Sequence, residues 1–96
     1  MDRARGDPAG ARDQFAELVP VCERVLGPDA IDTVGDLGKF AYWSGEAGDA
    51  AGARDQYAAL LPVLERTLGP EHRHVLVDRE SLAYWTEQSR RFRRRR

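Results

Sequence analysis

With 96 residues, 32% of them charged and a formal net charge of −1, the chain is sized for one small domain or a stretch of a longer array. No apolar run approaches the roughly 18 residues of a membrane span, and Met1-Asp2-Arg3-Ala4-Arg5-Gly6 lacks the apolar stretch of a secretory signal, so a cytoplasmic protein without a membrane span is expected. A single cysteine, Cys22, excludes an internal disulfide and a zinc-ligating cysteine pair.

Residues 1–5 read as an N-terminal extension. Asp7-Pro8 then opens a helix, because the carboxylate can accept from free backbone amides and proline has no amide to leave unpaired at the first helical position. Ala11, Phe15, Leu18, Cys22 and Leu26 recur at spacings of three and four and form one apolar stripe. Pro20 falls inside that stripe without changing its phase, which predicts a kink or short break within one helix. Gly27-Pro28 ends it, the glycine taking a left-handed terminal conformation and the proline blocking extension. A second helix is expected from about Asp32 to Ala47, with Val34, Leu37, Ala41 and Ser44 on one face. Gly35 and Gly38 weaken it by about 1 kcal/mol each.

The whole pattern then recurs. GDPAGARDQF from Gly6 and GDAAGARDQY from Gly48 are offset by 42 residues, and the register persists through Leu26-Gly27-Pro28 and Leu68-Gly69-Pro70 to Ala41-Tyr42-Trp43 and Ala83-Tyr84-Trp85. Asp49 is the second cap. Ala53, Tyr57, Leu60, Leu64 and Leu68 repeat the stripe, Pro62 repeats Pro20, and a last helix is expected from about His74 to Ser89. Its face keeps Val75, Leu82 and Ala83, with Arg79 in place of Leu37. The expected fold is therefore all-α, two tandem helical hairpins with about four helices, divided into repeats at 6–47 and 48–89 and an arginine-rich tail at 90–96.

The repeated polar triplets Arg12-Asp13-Gln14 and Arg54-Asp55-Gln56 would form parallel rows when the units stack. Such rows could clamp acidic groups or a peptide carboxylate, or could be solvated positions and contacts between helices. Tyr42-Trp43 and Tyr84-Trp85 fit packing between repeats better than a binding hot spot. His72 and His74 sit near Glu71 and Asp78 but lack a third strong ligand, so turn and cap roles are expected and no metal is assigned. Cys22 is matched by Leu64 and reads as a small apolar residue. No nucleophile with its base, phosphate loop or carboxylate pair stands in a catalytic context, so neither catalysis nor a cofactor is expected.

Arg90, Arg91, Arg93, Arg94, Arg95 and Arg96 hold six of the fifteen basic residues, leaving nine against sixteen acidic residues, a formal charge of −7, on the rest of the chain. This tail could be a solvated end, could bind nucleic acid or an acidic surface by charge alone, or could bind the acidic body of the same or a neighbouring copy.

Leu68-Gly69-Pro70-Glu71-His72, its partial copy Leu26-Gly27-Pro28-Asp29-Ala30, Leu82-Ala83 and Phe40-Ala41 resemble the tetratricopeptide repeat superfamily in the longer form of kinesin light chains and many bacterial proteins. Ile31 and Arg73 stand where a proline commonly follows the turn, and Lys39 and Ser81 where an asparagine is common. The resemblance implies helix pairs stacked in a right-handed superhelix that holds a protein or peptide on a surface lined mainly by first helices. It also implies a link to bacterial signalling or regulatory repeat proteins, of which this chain could be a remnant. Arrays of this kind need about three units for comfortable stability, so self-association through exposed repeat faces is expected.

Overall fold

The computed structural model describes residues 7–94, the last three of them by backbone alone, so that residues 1–6, including the extension at 1–5, and Arg95 and Arg96 lie outside the described residues. Four helices, α1 (Pro8–Leu26), α2 (Ile31–Glu46), α3 (Ala50–Leu68) and α4 (Arg73–Arg94), follow in that order, and no strand occurs among the described residues. Val75 to Val77, β-branched at both ends, lies within α4.

Both first helices start as the sequence predicts. The Asp7 carboxylate accepts from Gly10 N at 2.9 Å and that of Asp49 from Gly52 N at 2.8 Å, satisfying an amide that has no partner in the first turn. A side chain at Gly10 or Gly52 would collide with the capping carboxylate, which explains glycine at an otherwise unfavourable helical position. The prolines are absorbed without ending either helix, since α1 runs through Pro20 and α3 through Pro62. Ala16 and Ala58, whose carbonyls each lose a helical partner, are exposed, so water can replace the missing bond.

The helix ends need a correction. Gly27 (φ 98°, ψ 153°) and Gly69 (φ 96°, ψ 148°) have the expected positive φ, but their ψ is extended rather than left-handed helical. The following proline excludes helical ψ from the preceding residue, and glycine alone tolerates the combination that remains. The last helix is also longer than expected, reaching Arg94 rather than ending near Ser89. Ser89 is itself buried, accepts from Arg54 Nη1 at 3.1 Å and donates to the carbonyl of Thr86. Arginine is a good helix former, so nothing beyond that anchor forces termination.

Packing runs in series, α1 on α2, α2 on α3 and α3 on α4, with a small contact of α2 on α4. One apolar cluster holds Val34, Leu60, Leu61, Leu64 and Val75, and a second holds Ala41, Ala53, Tyr57 and Trp85. Neither includes a residue of α1. The equivalent stripes of α1 and α3 consequently have different fates: Leu60 is 4% exposed and Leu18, its repeat counterpart, 42%. Helix α3 has a neighbour on each side, whereas the described residues cover α1 on one side only. The same asymmetry separates α2 from α4. Val34, Ala41 and Ser44 are buried, while their counterparts Leu76 and Ala83 are exposed and Thr86 is half-buried. The expected place of Ala83 on the buried stripe is thus corrected. The buried face of α4 instead carries Val75, Trp85 and Ser89, with Leu82 half-buried beside them.

Trp85 explains one glycine. Its indole lies so close to Gly45 on α2 that a β-carbon there would overlap the ring. Gly45→Ala should destabilise the fold by about 1–3 kcal/mol through overpacking. For the two stripes, Leu60→Ala should cost about 2–5 kcal/mol, the range for a buried leucine, and Leu18→Ala less than half as much. Chemical denaturation monitored by circular dichroism measures all three.

Candidate protein interaction surface

The two polar triplets share the same local geometry. Arg12 donates to Asp13 Oδ1 from Nε at 3.0 Å, with Nη2 at 2.9 Å, and Arg54 repeats this on Asp55 at 2.9 Å for both nitrogens. Each arginine is half-buried and held by its neighbour's carboxylate, while Asp13, Gln14 and Asp55 are exposed. The second row is tied into the fold and the first is not. Gln56 Nε2 donates to Ser44 Oγ at 3.4 Å, Ser44 donates in turn to Phe40 O at 2.8 Å, and Arg54 reaches Ser89. Gln56 Oε1 and Thr33 Oγ1 are buried without a hydrogen-bond partner.

The aromatic pairs are edge-on, with ring centroids 4.9 Å apart for Tyr42 and Trp43 and 4.7 Å for Tyr84 and Trp85. Trp85 is 6% exposed and Trp43 half-buried, so the second copy contributes more to the core. Tyr42 and Tyr84 are exposed. His72 Nδ1 accepts from His74 N at 3.1 Å, serving as a cap where α4 begins. No group of three potential metal ligands occurs among the described residues.

Of the tail arginines, Arg90 and Arg91 are exposed on α4, and Arg90 Nη1 lies 3.8 Å from Glu87 Oε1. Arg93 and Arg94 belong to the helical backbone of α4. Arg79, which replaces Leu37, reaches Glu65 Oε2 on α3 at 2.7 Å and so joins the two helices by charge.

A groove of about 760 Å³ was not anticipated from the sequence. It lies along the first half of α2, between the ends of α1 and α3 and the start of α4. Val34, Leu64 and Leu68 give it an apolar lining, and Asp32, Asp36 and Asp78 contribute carboxylates. Gly35 and Gly38 leave it open where the second unit has Val77 and Glu80, and that mismatch between copies was the available signal. Cys22 faces the same space. Its thiol donates to Asp36 Oδ2 at 3.2 Å, and this bond, with burial and the nearby carboxylates, pushes its pKa up, which keeps the unreactive protonated form. Tyr57 donates to the carbonyl of Gly38 at 3.3 Å, and burial pushes its phenol up to about 12.

Asp78 is half-buried, and burial raises its pKa above the ordinary 3.8 although His74 opposes the shift. A carboxyl that holds its proton more tightly when folded loses stability for the fold as pH rises through the interval above 3.8. Asp78→Asn should therefore raise the melting temperature at neutral pH, and the advantage should vanish near pH 3, in thermal scans across pH.

A family model described as tetratricopeptide repeat matches residues 1–32, which span α1 and the Gly27-Pro28 turn. No curated protein and no solved structure matches the chain. No helix among the described residues is long and apolar enough to cross a membrane.

Proposed function

We propose, from the match of residues 1–32 to a tetratricopeptide repeat model, a non-catalytic scaffold that holds a protein or peptide partner in the cytoplasm and associates with itself. The repeats are read as 6–47 and 48–89. The observation that carries the reading is the unequal cover of equivalent stripes: Leu60 is buried by the next helix while Leu18 stays open to one. Leu76, Val77 and Ala83 on α4 are open in the same way. An apolar face that a second copy can cover gains stability with concentration. For an external partner, Asp13, Gln14 and Asp55 offer exposed polar contacts, with Arg12, Arg54 and Gln56 behind them as ordered supports.

A link to a bacterial signalling or regulatory protein, of which the chain would be a remnant, follows from the repeat form alone. Weak binding of nucleic acid by Arg90 to Arg96 is the alternative reading of the tail; it would be independent of sequence and fall steeply with salt.

Sedimentation across a hundredfold concentration range should show association, and Leu18→Asp should weaken it at least tenfold without loss of helical signal. A wild-type chain that stays monomeric with a constant melting temperature would contradict self-association. For the external partner, cross-linking in native extract identifies the bound protein, and Asp13→Ala/Gln14→Ala/Asp55→Ala should reduce its recovery at least fivefold. Unchanged recovery would remove the polar rows from the site.

A further inference from the structure

The charge distribution along α4 separates two features that suit each other. At its start, Asp78 joins Asp32 and Asp36 of α2 in the groove, and none of the three forms an ion pair with arginine or lysine among the described residues. Lys39 lies over the Phe15 ring at 5.9 Å, and His74 opposes the upward shift of Asp78 through space. At the other end of the helix stand Arg90, Arg91, Arg93 and Arg94, with Phe92 among them. A basic segment with one large apolar residue matches a groove with carboxylates and an apolar lining.

That segment cannot reach the groove of its own chain. Because α4 is continuous from Arg73 to Arg94, Arg90 lies about 18 Å and Arg94 about 24 Å from Asp78 along the axis, at 1.5 Å per residue. The continuous helix therefore sets the backbone of the arginine-rich end at a distance from the carboxylates.

We propose that the groove along α2 receives the arginine-rich end of α4 from a second copy of this chain, with guanidinium groups on Asp32, Asp36 and Asp78. The idea deepens the self-association proposed above and rests on it. It assigns an attractive role to the charge asymmetry, since an acidic body and a basic end in separate copies steer each other into contact. Burial already disfavours the ionised form of Asp78, and a guanidinium from outside would relieve that cost.

The test is a charge exchange in the full chain. Asp36→Arg/Asp78→Arg and Arg91→Glu/Arg93→Glu/Arg94→Glu should each reduce self-association at least tenfold in low salt, and an equimolar mixture of the two should recover a heteromeric complex. Circular dichroism checks the fold of each variant, with Asp32→Asn/Asp78→Asn as a milder groove variant if the first misfolds. A mixture that remains monomeric overturns the proposal, as does a groove variant that associates like the wild type. Loss of binding to a mixed-sequence DNA duplex in the tail variant, with self-association intact, would also overturn it and assign the tail to nucleic acid. Wild-type association that survives the groove changes but not Leu18→Asp would keep the self-association reading and reject the groove alone.

Discussion

The fold depends on α3 being enclosed from both sides. Its residues Leu60, Leu61 and Leu64 meet Val34 of α2 and Val75 of α4 in one cluster, and Ala53 and Tyr57 meet Ala41 and Trp85 in the other. An apolar helix face is stabilised in proportion to the area it removes from water, and α3, packed between α2 and α4, contributes the largest share of both clusters. The smaller contacts follow from this enclosure. Trp85 can approach α2 only because Gly45 has no side chain, and Arg54, Gln56 and Ser89 acquire partners because the stack brings α2 and α4 to either side of α3.

Series packing also governs what is available for function. A repeat that contacts only its neighbours leaves its terminal faces open, and the exposed residues Leu18 and Leu26 on α1 and Leu76 and Val77 on α4 are the result. The proposed self-association would use these positions. The polar rows behave differently. Arginine side chains satisfied by an adjacent aspartate contribute little free charge, so the exposed carboxylates and Gln14 define the outward chemistry more than the guanidinium groups do.

The groove lies where the two copies of the repeat differ, with Gly35 and Gly38 in the first where the second has Val77 and Glu80. Gly35 and Gly38 weaken α2 as a helix, yet the space they leave is bounded by Leu64, Leu68 and three aspartates. Tertiary packing supplies the stability that helix propensity lacks there, since Val34 and Ala41 on the same helix are buried. Carboxylates line that space, and Cys22 beside it is held as a thiol by Asp36.

Local signals determined the helices themselves. Asp7 and Asp49 set two starts, Gly27-Pro28 and Gly69-Pro70 set two stops, and spacings of three and four set the apolar stripe, because each depends on groups within one turn of the chain. The 42-residue offset likewise revealed the duplication. Burial was a different matter. Leu18 and Leu60 occupy the same place in the same motif and differ only in whether a second helix covers them, and Ala83 and Ala41 differ for the same reason. The continuation of α4 to Arg94 and the extended ψ of Gly27 show local rules meeting more than one influence: a helix without a stop signal keeps going, and a following proline overrides the usual glycine cap. The groove was visible only in three dimensions, because its carboxylates come from Asp32, Asp36 and the distant Asp78, which converge when α2, α3 and α4 pack.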